Sequence, residues 1–421
     1  METTGFEFQE SIMKIGLPQL LWYENSTLEI QLPDDWAVEI CPMKGVNAPA
    51  LTPDEIKNAV LHPLDSPPVS ELAQGKKSAV IIFDDMTRPT KTGEIAVFIL
   101  EELLKAGIRK DEITFVCALG THGALTANEF RKKLGQAILD RFRVFNHNIY
   151  ENCVEVGETS RGTILKINRE VAEAEFKIAI GCVTAHPQAG FSGGGKIILP
   201  GISHIDSITH YHLNVEAMDK KSTGMGKYPH NILQEDIEEA AGLAGLDFCI
   251  NVIVNGRGQT SAVFAGNYKT VFHAAVKQAK DHYATFPKPE NKDIVISNAF
   301  VKANEMAIAM GMGIRPLKNL TGTVVIIATS PEGQVIHHLL GRWGRNYGGR
   351  QYPVASIPPS IKLIIMAPYS DKNFGDWFSN PERITWTRSW DQTLAVLKKY
   401  HGSHADVAVI PDATMQYYMR K

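Results

Sequence analysis

The sequence predicts an α/β protein of two α/β units, each with a mainly parallel sheet, and a ligand site in the cleft between them. Three observations lead there. Short apolar runs of buried-strand type recur: SAVIIFDD (78–85), ITFVCALG (113–120), FKIAIGCV (176–183), IVISNAF (294–300), TVVIIATS (323–330), IKLIIMAP (361–368) and DVAVIPDA (406–413). Amphipathic helical stretches alternate with them, the order that βαβ units produce. Polar or glycine-rich segments follow several strand ends, where open α/β sheets bind ligands.

At 421 residues the chain is long for a single core, so two domains are expected. Residues 1–50 look accessory: TLEIQLPDDWAVEIC alternates as one edge strand or hairpin does. LTPDEIKNAVLHPL then reads as a capped helix, with Thr52 as N-cap and Pro53 in the first position. SAVIIFDD is followed by the helical TGEIAVFILEELLKAG, and ITFVCALG by ALTANEFRKKLGQAILDRF. After FKIAIGCV come a helix over 230–244, the apolar DFCINVIVN (247–255) and the helical YKTVFHAAVKQAKDHY. The polar, proline-containing ATFPKPENKD supplies a linker, giving a first unit over 1–284, a linker over 285–293 and a smaller second unit over 294–421. A helix near 303–312 follows its first strand, and the last residues of the chain are expected to pack back on the first unit. SPEGQVIHHLLGRWGRNYGGRQY (330–352) is Gly- and Arg-rich and reads as a loop at the cleft or on plain surface.

Net charge is −3 with acids and bases interspersed, and no basic block offers a nucleic-acid surface. No apolar run is long enough for a membrane span, and no charged-then-apolar leader opens the sequence. Five dispersed cysteines without CxxC spacing fit a reducing cytoplasm better than a disulfide framework or a zinc cluster. A cytoplasmic location is therefore expected.

The most informative stretch is 181–212, GCVTAHPQAGFSGGGKIILPGISHIDSITHYH. Lys196 follows Gly193, Gly194 and Gly195 directly, and His186, His204, His210 and His212 surround it in sequence. Glycines let a backbone approach a ligand. A lysine supplies a cation or, once desolvated, an amine nucleophile. Histidine is the commonest metal ligand and general base. Taken singly, each has a plainer reading: a flexible turn, a solvated lysine, satisfied histidines. The P-loop spacing GxxxxGK[ST] is absent. The combination gains weight because it begins where a strand ends. Asp84, Asp85, Thr87 and Arg88 end one strand and His122 another. Asp85 and Arg88 either cap and pair locally or present a fork for a carboxylate or phosphate.

These blocks resemble the lactate racemase family, whose members use a nickel-pincer nucleotide. The resemblance is carried by SPPVSELAQGKKSAVIIFDDMTRPT, ALGTHGALT, HPQAGFSGGGKIILPG with the following HYH, and the SPEGQ loop, in that order. It implies a racemase or epimerase inverting C2 of a 2-hydroxy acid by reversible hydride transfer. The cofactor implied is a pyridinium-3,5-bisthiocarboxylic acid mononucleotide with nickel, joined covalently to Lys196. His212 would be the protein's nickel ligand, with His210 its close competitor. His122 and His186 would be the paired acid/base residues, and Arg88 would engage the substrate carboxylate. Asp85, Thr87, Ser192 and Gly193–Gly195 would lie with the cofactor. Partners implied are the small hydroxy acid and, transiently, the cofactor-biosynthesis proteins.

The sequence departs from the family at two places. Members acting on lactate carry an aromatic, an amide and a lysine early in the second unit, where this chain has Met306, Ala307 and Met310. Met306 and Met310 are therefore candidate substrate-side residues or ordinary core. Lys302, Arg315, Arg342, Arg345 and Arg350 are candidates for the missing carboxylate contact. The family's usual arginine before the cofactor lysine is replaced by Gly195. The substrate expected is a 2-hydroxy acid other than lactate, a bulkier acid or a sugar acid. Two alternatives remain: a nicotinamide-dependent dehydrogenase, disfavoured by the lack of a GxGxxG after a strand, and a non-catalytic nucleotide or hydroxy-acid binding protein.

Overall fold

The computed structural model describes residues 12–340, 355–369 and 371–419. Two six-stranded sheets carry the architecture. In spatial order the first runs Thr260–Gly266, Phe248–Val254, Phe176–Cys182, Ala79–Asp84, Ile113–Ala118 and Arg143–Asn146. Five of these strands are parallel, and Thr260–Gly266 closes one edge antiparallel to Phe248–Val254. The central strands are buried on both faces, which explains their unbroken apolar runs. Helices cover both faces, Thr92–Lys105 among them, and the Thr52 capping box forms as its sequence requires.

From Ala79–Asp84 the chain winds outward through Ile113–Ala118, then returns to Phe176–Cys182 on the other side. The switch point of the sheet therefore lies between Ala79–Asp84 and Phe176–Cys182. Diverging connections leave a crevice at such a point.

The second sheet is wholly parallel, in the order Ile384–Thr387, Ile361–Met366, Gly322–Ile327, Ile294–Asn298, Asp406–Ile410 and Ala37–Ile40. It has as many strands as the first. Its last member differs from the expectation for residues 1–50. Ser26–Pro33 forms a hairpin with Ile12–Gln19, whereas Ala37–Ile40 crosses to the far edge of the second sheet beside Asp406–Ile410. The crevice between Ile294–Asn298 and Asp406–Ile410 is filled from within. Asn298 donates to the Pro18 and Pro411 carbonyls and accepts from Gln19. The chain end returns to the first unit, Tyr417 N–H donating to the Tyr283 carbonyl and the Tyr417 hydroxyl to that of Lys280.

The helix expected near 303–312 is a 3-10 turn, Ala303–Glu305, followed by the helix Ile308–Ile314. All five cysteines are free. Among the described residues no helix is long and apolar enough to cross a membrane.

Candidate active site

A cavity of about 330 Å³ opens at the switch point of the first sheet. Its floor is the strand ends at Asp84, Gly181 and Cys182, and its far wall comes from the second unit through Lys302, Glu305, Ile308, His337, Leu340 and Trp377. The site is thus shared between the two units.

The loop after Ala79–Asp84 is fixed from beneath. Lys133, fully buried, donates to Asp84 Oδ1 at 2.7 Å and to the Arg88 carbonyl at 3.1 Å. Asp84 Oδ2 accepts from Thr90 Oγ1 and the Cys182 amide, tying two strand ends together. Asp85 Oδ1 accepts from the Thr87 amide (2.9 Å) and hydroxyl (2.6 Å), a local turn that tips the other oxygen into the cavity.

That oxygen, Asp85 Oδ2, lies 2.5 Å from His122 Nδ1. His122 Nε2 lies 3.4 Å from Glu305 Oε1, and Glu305 Oε2 lies 3.9 Å from an Arg88 guanidinium nitrogen. The same Arg88 nitrogen donates to the Thr87 hydroxyl at 2.8 Å. The five side chains close a ring: Asp85, His122, Glu305, Arg88, Thr87. Burial opposes charge on His122, but the Asp85 and Glu305 carboxylates prevail and raise it to about 9. Burial likewise opposes charge on Asp85, yet His122 and Arg88 hold it down at about 2.

His186 sits on the two-residue strand Ala185–His186 that pairs with Gly190–Phe191. Its environment is the reverse. Its Nδ1 accepts from the backbone amides of Gln188 (3.3 Å) and Ala189 (3.1 Å), which leaves the neutral ring's proton on Nε2. Burial and the Lys196 and Arg88 cations push its pKa well below the usual histidine value.

Lys196 lies on the 3-10 turn Gly194–Ile197 and opens onto the cavity. Burial, then Arg88 and Lys302, lower its amine to about 7. Ser192 and Gly193 position the turn. Ser192 Oγ donates to the Cys182 carbonyl at 2.8 Å, and the Gly194 amide donates to Asn251 Oδ1 at 2.9 Å. Gly193 takes φ +97°, and a Cβ there would lie 2.4 Å from Asn251 Oδ1, so only glycine fits. Ser192, Gly193 and Gly194 line the cavity; Gly195 is buried behind them. A Cβ on Gly195 would lie 2.8 Å from Ala241 Cβ and from the Ile237 carbonyl, which explains why no long side chain stands there.

His212 lines the cavity from a π-helical turn, Tyr211–Val215, a helix irregularity common at functional sites. His210 does not line it. Its Nδ1 is 3.0 Å from the Thr163 hydroxyl.

Two sequence expectations are corrected. Met306 (0% exposed) and Met310 (7%) do not line the cavity; they pack into the core of the second sheet with Val295, Val324 and Ile326. Four residues apart, they share the inward side of the turn and helix. Their neighbours Lys302 (1% exposed) and Glu305 (6%) reach the cavity instead. Of the other cations considered, Arg315 is exposed and away from the cavity, and Arg342, Arg345 and Arg350 lie outside the described residues. The 330–340 part of the loop does face the cleft. Its His338 amide donates to the Thr121 carbonyl, the Gly123 amide donates to the Ile336 carbonyl, and His337 lines the cavity.

Glu305, His337 and Trp377 were not among the sequence candidates. For Glu305 a signal existed: Lys302 and Glu305 are the only charges in the run AFVKANEMAIAM, directly after a strand end. Nothing local marks His337 or Trp377, whose rings meet at 5.4 Å between centroids.

The family model described as the lactate racemase N-terminal domain matches residues 23–225. The chain is 29% identical over 280 residues to a lactate racemase of Thermoanaerobacterium thermosaccharolyticum, an alignment covering 66% of this chain and 65% of that protein, just under two thirds of its length. It is 30% identical over 329 residues to a lactate racemase of Lactiplantibacillus plantarum, covering 76% of each. Among solved structures, the lactate racemase apoprotein of T. thermosaccharolyticum superposes with a TM-score of 0.75 at 22% identity, covering 97% of this chain and 100% of that one. A Thermotoga maritima protein superposes with a TM-score of 0.64 at 16% identity, covering 88% and 99%. At these identities the two structures speak for the fold alone.

Proposed function

Since the chain belongs to the lactate racemase family, we propose that it inverts C2 of a 2-hydroxy carboxylic acid with a nickel-pincer nucleotide carried on Lys196. The observation that carries the reading is the meeting of Lys196, His122, His186, His212 and Arg88 around one cavity.

The residues fit such a group. An amine held at about 7 is about half free base at neutral pH, and acylation of Lys196 requires that free base. The glycine wall at 193–194 leaves room for a flat ligand beside it. A protein-only metal centre needs three or more ligands, and among the described residues no such group of His, Cys, Asp or Glu exists. A pincer brings three donors of its own and asks the protein for one, which His212 would provide. When bound, the nucleotide would supply an electron-poor ring as the acceptor for hydride from C2.

The chain's own residues do the rest. Arg88 offers its fork to the substrate carboxylate and gives the carbon a fixed pivot. His122 and His186 move the hydroxyl proton, one taking a proton and the other returning one on the opposite side. His122 comes to the reaction charged, whereas His186 takes up a proton only by exchanging its two backbone bonds. Burial of the ring Asp85–His122–Glu305–Arg88 excludes water and strengthens each of its charge contacts.

The substrate is a hydroxy acid other than lactate. Support comes from Lys302 and Glu305. Lys302 adds a buried cation for the carboxylate, while Glu305 sets an ionised carboxylate beside it. Glu305 already meets His122 and Arg88, and its remaining lone pairs would be met by a substrate hydroxyl but not by a methyl group. A bulkier, hydroxylated acid of the sugar-acid type fits best. The test is intact mass with metal analysis of protein co-produced with the pincer-biosynthesis enzymes, followed by a panel of single enantiomers. An adduct on Lys196, about one nickel per chain and inversion of a hydroxylated acid are expected. No adduct under conditions that load a known member would refute the cofactor, and lactate as the fastest substrate would refute the substrate class.

A further inference from the structure

The two histidines at the cavity are not equivalent, and their hydrogen bonds say how they differ. Both ring nitrogens of His122 face carboxylate oxygens, Asp85 Oδ2 at 2.5 Å and Glu305 Oε1 at 3.4 Å. A neutral imidazole has one bare nitrogen, which would then face a carboxylate lone pair. Only the doubly protonated ring donates to both. At His186, two backbone N–H groups point at Nδ1, where a second proton would have to bind. We infer that Glu305 is a positioning residue which, with Asp85, makes His122 the proton-bearing partner of the pair in the resting enzyme. This deepens the proposed function and rests on it only for its kinetic consequence.

The groups around His122 allow no other assignment. Arg88 is turned onto the Thr87 hydroxyl and Glu305. The His337 ring, edge-on at 5.4 Å, accepts at Nδ1 from the Leu339 and Leu340 amides, so its Nε2 donates to the Thr121 hydroxyl. His338 is disfavoured as a cation by burial and by the His122 charge itself. Glu305 belongs to the second unit, so the proton on His122 is set by a residue from across the cleft.

The consequence is an order of events. Free enzyme holds an acid at His122 and a neutral ring at His186. The enantiomer whose hydroxyl faces His186 is the one this form can use. Its hydroxyl proton goes to His186 Nδ1, once that nitrogen has exchanged the Gln188 and Ala189 amides for the substrate, and the proton returned to the substrate oxygen comes from His122. One proton is taken and one given, and C2 loses and regains its hydride, so product and substrate have the same composition. The enzyme is left with the proton on the other histidine, the less favourable arrangement, and must reset before it can repeat.

The test begins without any nucleotide. Full-length chain labelled with 15N-histidine is titrated from pH 6 to 10 by long-range proton–nitrogen correlation, with His122 and His186 identified from signals lost in His122→Gln and His186→Gln. At pH 7.5 His122 is expected to show two protonated ring nitrogens, and His186 one bare nitrogen, Nδ1. Glu305→Gln is expected to lower the His122 midpoint by about one unit or more, the usual effect of removing a charge at this range. A bare ring nitrogen on His122 at pH 7.5, or an unchanged midpoint in Glu305→Gln, overturns the inference. Should Glu305→Gln fold poorly, the wild-type spectrum still decides where the proton sits, and Glu305→Asp, which keeps the charge but draws it back, is expected to give a smaller shift. In loaded enzyme, kcat/KM for the enantiomer favoured by the resting form falls as pH rises through the His122 midpoint, and Glu305→Gln moves that limb to lower pH. A doubly protonated His122 in loaded protein that inverts no hydroxy acid refutes the proposed function and leaves the proton assignment standing.

Discussion

Reductive methylation of the chain before any nucleotide is attached tests the chemistry of Lys196 directly. Burial together with the Arg88 and Lys302 cations brings its amine from 10.5 to about 7. A shift of that size corresponds to ~5 kcal/mol between the two protonation states. At pH 7 about half of Lys196 is then free amine, against ~0.03% for an ordinary surface lysine, a ~1,500-fold enrichment. With limiting formaldehyde and cyanoborohydride, peptide mass mapping from pH 6 to 10 should give Lys196 a midpoint near 7 while exposed lysines rise only above pH 9. Restricted access slows the reaction but does not move its midpoint. Lys302→Met removes one of the two neighbouring cations and should raise the midpoint by about half a unit to one unit. A Lys196 profile that follows the surface lysines would refute the argument, including its account of why this residue suits covalent attachment.

Other consequences can be measured on the same protein. Lys133→Met leaves the half-buried Asp84 without its 2.7 Å partner and should cost about 3 kcal/mol, read from the urea midpoint. Gly195→Ala drives a Cβ to 2.8 Å from the Ile237 carbonyl and should cost about 1–3 kcal/mol, seen as a lowered Tm. His212→Ala should abolish nickel retention in protein co-produced with the biosynthesis enzymes, and His210→Ala should retain it, since His210 lies against Thr163; elemental analysis decides. The Asp85–His122 pair ties stability to pH in two directions. The depressed Asp85 contributes stability fully present above 3.8 and lost as pH falls through about 2. The raised His122 contributes stability fully present below 6.5 and lost as pH rises through about 9. The gap in urea midpoint between wild type and Asp85→Asn should therefore be widest near pH 5 and narrow above pH 9.

What the sequence made legible follows from burial. Ala79–Asp84, Ile113–Ala118 and Phe176–Cys182 are buried on both faces, so their apolar runs are unbroken, and each delivers its polar residue at the strand end, where the sheet opens. Asp85, Arg88, His122, His186 and Lys196 could be read for that reason. Edge elements could not. Thr260–Gly266 and the hairpin Cys153–Glu158 with Ile164–Asn168 are partly solvated, and their alternation is weak. Glu305 was missed because which face of a short turn meets the opposite unit depends on packing across the cleft. Met306 and Met310 drew attention through their place in the family pattern, but the one-residue offset between a core face and a cavity face is set by the 3-10 turn before them, which no local propensity reveals. Likewise, nothing near residue 37 announces a partner at residue 406.

That last pairing bears on synthesis. The first sheet uses only residues 79–266, so its strands are all available well before translation ends. Ala37–Ile40 emerges earlier still, yet its neighbour Asp406–Ile410 is made last, with Ala37 opposite Asp406. At ordinary elongation rates the wait is roughly 20–70 s. Throughout it the nascent protein carries a short strand with no sheet to join, a template for pairing with another chain. Asp34, Asp35 and Glu39 lie in and just before that strand. Their charges act as gatekeepers against association until the proper edge arrives.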